Sequence, residues 1–338
     1  MPIHPDVAAR FPLLDGLTSM REAYTTPAGL AQIQRYESWE PAVPPPAVAT
    51  REATAPGPHG PVPVRIYEPE GDGGARPALV WAHGGGFIGG DLDMREGDWT
   101  SREICARAGA VVVSVDYRLA VNGVCYPVPH DDVVAAVRWV RDNAAELGID
   151  PARITIGGGS AGANLTTGAA LELRDRDGWV PAALLPVYGV FHPVIPSASA
   201  SLARSMAELP PLLRGAVDDH TLTLNFLGGP LSSATGYAMP ALAVLDGLCP
   251  TVLINAEYDN LRSSGQAFAA ALAVAGVDVR QVLVPGVLHG FLNQPAELEP
   301  VGRCLDLMAD VVRRAGGDRQ ATCRSVSETQ DRSASLVK

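Results

Sequence analysis

Residues 153–162 read RITIGGGSAG, and this stretch decides the fold. Its first four residues form a β-rich run. Its glycines lead through Ser160 into a helical pattern that begins at position 161. As G-x-G-x-x-G (Gly157, Gly159, Gly162) the turn matches the dinucleotide fingerprint, where backbone amides cradle a pyrophosphate. As G-x-S-x-G (Gly158, Ser160, Gly162) it matches a nucleophile elbow, where small neighbours let a strained turn lift a serine hydroxyl clear of the sheet. A third reading is a glycine-rich turn with no chemistry. The dinucleotide motif wants an acidic residue at the end of the next strand, and PAALLPVYGV (181–190) ends without one. The turn also comes late in the chain, whereas the dinucleotide unit usually opens the fold. The elbow reading leads, and the rest of the sequence must decide it.

Outward from this turn, short β-rich runs recur at 61–69, 77–84, 110–118, 181–188, 250–257 and 279–286. Amphipathic helical stretches lie between most of them, at about 97–108, 130–147, 161–175, 263–275 and 298–314. Alternation of this kind predicts βαβ units and a mostly parallel sheet, an α/β fold. Val/Ile/Leu runs without polar alternation suit strands covered on both faces. Between Tyr188 and Pro250 the rhythm stops, leaving Pro/Ser/Ala-rich chain and helical pieces such as 212–227. An interval that long inside a sheet reads as a functional lid. The expected organisation is an N-terminal cap segment (1–50), core (51–190), cap insertion (191–240), core (241–315) and a disordered tail (316–338).

Composition narrows the function classes. The 338 residues carry 26 Lys+Arg against 37 Asp+Glu, a net charge of −11, which argues against a nucleic-acid binder. Apolar residues make up 47 % of the chain, enough for a sizeable core. The five cysteines are scattered with no C-x-x-C pair, so neither a zinc ribbon nor a disulfide framework is expected. The opening MPIHPDVAARFPLLDG places Pro and Asp where a secretory signal needs an apolar run, and no stretch is apolar enough for a membrane span. A cytoplasmic location is the expectation.

A second motif strengthens the elbow. His83-Gly84-Gly85-Gly86 ends the run PALVWA. Consecutive glycines add chain entropy and no packing, but they suit a loop whose amides converge on an oxyanion. A nucleophilic serine then needs a base, and the base an orienting carboxylate. Asp259 follows the run TVLINAE and His289 follows VRQVLVP. Both therefore fall at carboxyl ends of strands, where open parallel sheets gather their functional groups. Ser160, Asp259 and His289 also occur in the chain order of an α/β-hydrolase triad. Glu257 is the rival orienter. His83 is expected to brace its turn, Asp131 and Asp132 to favour a helix start, and Asp116 to end its strand and pair locally. Phe87, Phe191, Leu261 and Phe291 adjoin the catalytic loops and read equally as pocket walls or as core. No metal or organic cofactor is required.

With these motifs in place, the HGGG run, Asp116-Tyr117-Arg118-Leu119-Ala120, G-x-S-A-G with Asn164-Leu165, and the Tyr-Asp…His-Gly-Phe ending resemble the hormone-sensitive-lipase family of α/β-hydrolases over about 75–295. The resemblance implies a mostly parallel eight-stranded sheet with a helical cap, built from the N-terminal segment and the insertion after the sixth strand. It implies carboxylesterase chemistry on small or short-chain esters, oxyanion donors at the amides of Gly85, Gly86 and Ala161, and a homodimer through an edge strand. The chain departs from the family at three places. Gly159 stands where Asp usually precedes the nucleophile, Ser263-Ser264 replace an acidic pair, and residues 121–126 replace a Pro-Glu-His stretch. An amidase or lactonase would share the same site residues. A non-catalytic receptor, as the related plant gibberellin receptors imply, would lack the base that His289 supplies here.

Overall fold

The computed structural model describes residues 2–17, 23, 26–71, 74–214 and 219–317. Within them one sheet holds β1 (Ala49–Ala55), β2 (Val62–Glu68), β3 (Arg76–Ala82), β4 (Val111–Val115), β5 (Ile149–Gly159), β6 (Ala183–Val187), β7 (Thr251–Tyr258) and β8 (Val279–Leu288). Their order is β1-β2-β4-β3-β5-β6-β7-β8. The pairs β1–β2 and β2–β4 are antiparallel, and every pair from β4–β3 to β7–β8 is parallel. The α/β fold and the mostly parallel eight-stranded sheet are those expected.

The helices in chain order are α1 (Pro5–Ala8), α2 (Pro27–Glu37), α3 (Arg95–Ala108), α4 (Val128–Asp142), α5 (Ala161–Glu172), α6 (Ala200–Ala207), α7 (Pro211–Arg214), α8 (Asp219–Leu227), α9 (Arg262–Val274) and α10 (Glu299–Arg314). Alternate strand residues face two buried layers. Val80, Val113 and Ile156 pack with Val133, Val137 and Leu165 of α4 and α5. Leu79, Trp81 and Val112 pack on the other face with Ile104, Leu305 and Met308 of α3 and α10. Each such side chain contributes about 1.5–3 kcal/mol by leaving water, so both faces of the central strands must be apolar, as their runs are.

β1 has no counterpart among the β-rich runs. Its sequence ATREATA is mostly exposed, so burial writes no apolar signal there. Cross-strand charges stand in its place: Glu52 lies opposite Arg65, and Arg51 reaches Glu68 at 2.8 Å. The helical piece expected over 212–227 is divided between α7 and α8, with 215–218 outside the described residues. The tail expected from Gly316 lies, beyond Gly317, outside them too.

Among the described residues no strand interrupts the interval between β6 and β7, which carries α6, α7 and α8. This interval packs against the N-terminal segment: Leu212 clusters with Leu14 and Ile33, and Leu209 with Val7. No helix among the described residues is long and apolar enough to cross a membrane.

Candidate active site

β5 delivers Ser160 into a turn that few residues tolerate. Its φ of 51° and ψ of −115° are far from helix and strand, and α5 begins at the next residue. The turn closes because its flanks are glycines. A Cβ on Gly158 would lie 2.5 Å from the Gly162 backbone, and one on Gly162 would lie 2.0 Å from the Ala82 carbonyl oxygen. The Ser160 amide donates to Val187 O at 2.9 Å, fixing the elbow to the end of β6. Ser160 keeps 9 % of its surface exposed, beside the amino end of α5. A partial positive charge gathers there from the unpaired helix amides.

His289 follows β8 and lies over this serine. Its Nε2 is 2.9 Å from Ser160 Oγ, and its Nδ1 is 2.8 Å from Asp259 Oδ2. A carboxylate only accepts, so Nδ1–H donates to Asp259, leaving Nε2 as the acceptor for the serine proton. Asp259 is 2 % exposed and its second oxygen accepts the Leu261 amide at 2.9 Å. The rival Glu257 is turned elsewhere, with its Oε2 accepting the Gly286 amide at 2.8 Å.

The glycine loop lies next to the serine. Gly85 has φ of +113° and Gly86 +61°, and the Gly85 carbonyl accepts the amides of Ile88 and Gly89 at 3.1 and 3.0 Å. His83 is buried, stacked on Tyr117 at 4.4 Å, with Nδ1 2.7 Å from Gly84 O. It braces the turn, and burial holds its pKa below the usual histidine range. Among the described residues no hydrogen bond within the chain occupies the amides of Gly85, Gly86 or Ala161.

The four residues that read as pocket wall or as core are buried. Phe191 and Phe291 have no exposed surface: Phe191 stacks on Phe268 at 4.4 Å, and Phe291 meets Tyr188 edge-on. Phe87 stacks on Phe226 at 3.9 Å, and Leu261 is 8 % exposed in the same core. Adjacency in sequence does not reveal these packing contacts. Leu222 of α8, which no sequence motif marks, lies over the glycine loop, 3.0 Å from where a Cβ on Gly86 would stand.

The departures from the family pattern have partners as well. Ser264 Oγ accepts the Phe191 amide at 3.0 Å and lies 2.9 Å from His192 Nδ1. In the segment 121–126, the Tyr126 amide donates to Phe226 O at 2.7 Å, joining this segment to α8. Asp116 ends β4 with its amide on Pro63 O at 3.0 Å. Contrary to expectation, its carboxylate makes no ion pair among the described residues, and burial raises its pKa. One cluster there, His130, Asp131 and Glu172, has metal-ligand chemistry. Glu172 is already bonded to His130 at 2.9 Å and Arg176 at 3.2 Å, and Asp131 to His59 at 2.6 Å, so these side chains already have partners within the chain.

A family described as alpha/beta hydrolase fold matches residues 79–293, more than half of the chain and all of the site just built. The chain belongs to the hormone-sensitive-lipase family of α/β-hydrolases. It is 36 % identical over 269 residues to Carboxylesterase NlhH of Mycobacterium tuberculosis, covering 72 % of this chain and 76 % of that protein. It is 30 % identical over 258 residues to Ethyl acetate hydrolase of Pseudomonas putida, covering 75 % and 78 %. Among solved structures, the hyperthermophilic esterase of Pyrobaculum calidifontis superposes with a TM-score of 0.74 at 29 % identity, covering 93 % of this chain and 98 % of that one.

Proposed function

We propose that this α/β-hydrolase is a serine carboxylesterase acting on small or short-chain esters, with Ser160 as nucleophile, His289 as base and Asp259 as orienter. The unbroken contact from Asp259 through His289 to Ser160, at 2.8 and 2.9 Å, carries the reading. The names of the relatives, a carboxylesterase and an ethyl acetate hydrolase, support the reaction class.

The chemistry follows from the geometry. As Ser160 Oγ attacks the ester carbon, its proton passes to His289 Nε2 and Asp259 stabilises the resulting imidazolium. The carbonyl oxygen becomes an anion, received by the amides of Gly85, Gly86 and Ala161, whose worth is about 10²–10³ in rate per donor. The tetrahedral centre collapses, the C–O bond to the alcohol breaks, and His289 returns the proton to the leaving oxygen. Water, deprotonated by His289, then attacks the acyl group and releases the acid and free Ser160. The N-terminal segment and the interval 191–240 form the cap over this centre, and Leu222 forms part of the acyl wall.

Hydrolysis of p-nitrophenyl acetate tests the reading. Ser160→Ala is expected to abolish it and to prevent labelling by a fluorophosphonate, with an unchanged circular dichroism spectrum. Asp259→Asn is expected to lower kcat roughly 10⁴-fold. Turnover retained in Ser160→Ala, or an Asp259→Asn loss below about tenfold, overturns the assignment.

A further inference from the structure

The space that a side chain at position 159 would occupy is filled from another element. A Cβ on Gly159 would lie 2.3 Å from Oε1 of Glu96, so the Glu96 carboxylate of α3 rests against the elbow itself. Glu96 is 1 % exposed. Its Oε1 accepts the Gly84 amide at 2.6 Å, and its Oε2 accepts the Tyr188 hydroxyl at 2.7 Å. A buried carboxylate destabilises the fold unless its oxygens are bonded, and here both are. Each partner leads to the reacting groups. A Cβ on Gly84 would stand 3.2 Å from Ser160 Cβ, and the Tyr188 ring meets the His289 ring edge-to-face at 5.1 Å. The Glu96 amide also donates to Asn293 Oδ1 at 3.1 Å, on the turn that follows His289.

We propose that Glu96 is a positioning residue for the hydrolytic reaction. Its carboxylate holds the glycine loop against Ser160 and, through Tyr188, holds the His289 ring, doing from α3 what a side chain at 159 has no room to do. The inference rests on the serine-hydrolase reading above.

The titratable groups that interact with this carboxylate are Tyr117 beyond β4, Tyr188 beyond β6 and His289; His83 lies next to Gly84, which Glu96 holds. Cys304 of α10 lies behind Tyr188. Burial pushes both phenols well above the usual tyrosine range, raises the Cys304 thiol to about 12 and keeps His83 neutral. Burial also raises Glu96, against the opposing bonds from Tyr188 and Gly84. When ionised, the Glu96 carboxylate favours the imidazolium of His289.

Glu96→Gln removes the charge and turns an amide N–H₂ toward one of the two donors. It is expected to lower kcat on p-nitrophenyl acetate roughly 10²-fold with KM changed by less than about threefold. The His289 pKa, followed by nitrogen NMR of its ring, should fall, because an anion that favoured the charged ring is gone. Glu96→Asp, which keeps the charge, should recover part of both. Unchanged kcat together with an unchanged His289 titration in Glu96→Gln overturns the proposal.

If Glu96→Gln does not fold, a swap decides the matter. Glu96→Gly combined with Gly159→Asp offers the carboxylate from the elbow side and should exceed Glu96→Gly alone by about tenfold or more in kcat. No gain in the folded double variant counts against the inference. Should the unaltered protein hydrolyse no ester, the esterase reading fails by itself. The His289 titration in Glu96→Gln, or in the swap, then still decides for or against Glu96.

Discussion

The two walls of the site are held by different means. On the wall built by β3, β5 and α5, main chain meets main chain, and glycines at 158 and 162 are the condition for contact. On the other wall, the interval between β6 and β7 is held mainly by side chains, beside the backbone bond from the Tyr126 amide to Phe226 O. Phe226 stacks on Phe87 at 3.9 Å, Asn225 Nδ2 donates to Ala120 O at 2.7 Å, and Leu222 lies over Gly86. Backbone contact leaves no slack, because neither partner has a rotamer to change. Side-chain contact can repack at modest cost. A nucleophile misplaced by about 1 Å loses about 10²-fold in rate, so the rigid wall suits the reacting atoms and the adaptable one suits the substrate.

The strongest way to break this contrast is to place a side chain in the rigid wall. Gly162→Val would drive its Cβ into the carbonyls of Ala82 and His83, 2.0 and 2.5 Å away. A loss above about 4 kcal/mol is expected, seen as failure to yield folded protein in urea titrations. A folded and active Gly162→Val would remove the basis of the contrast.

A smaller effect is expected on the other wall. Phe226→Ala empties the stack on Phe87 and the edge contact with Tyr126, at about 3 kcal/mol. Hydrogen exchange should rise across the segments between β6 and β7 while amides of β3 to β5 stay protected. KM should rise more than kcat falls. Equal loss of protection in both regions would show that the walls unfold as one unit.

The same contrast explains what could be read in the sequence. The rigid wall was legible because its glycines answer to backbone needs that no other residue meets, and because Asp259 and His289 sit at strand ends that apolar runs already mark. The adaptable wall was not. Phe87, Phe191 and Phe291 look alike in sequence as pocket or core, and only the structure shows how deeply they are buried. Glu96 was invisible for a related reason. In sequence it is an acid in a helix's first turn, where the dipole accounts for it, and Gly159 is merely an absent side chain. The fit between them exists only in space. β1 leaves no mark in the sequence because its pairing rests on charge and backbone bonds, with little buried apolar surface to set a pattern.

The smallest effect concerns the rigid wall's outer support, where α5 passes into a π-helical turn, Leu173–Asp177. Asp177 accepts from Arg138 at 2.8 Å and from Arg141 at 2.9 Å, both on α4. Bonding to Arg138 first, and then to Arg141, lowers the Asp177 carboxyl to about 2. A carboxyl depressed in the folded state adds stability above its unfolded value near 3.8, and that stability is lost as pH falls through about 2. The group is near solvent, so screening limits the contribution to about 1 kcal/mol or less. Asp177→Asn should therefore lower the urea midpoint slightly at pH 7, and most of that difference should be gone at pH 2. Turnover measured at pH 8 should be unaffected, since the ion pair joins two helices and touches no reacting group. A variant that stayed as far below the unaltered protein at pH 2 as at pH 7 would show that packing of the turn, and not its charge, holds α4 to α5.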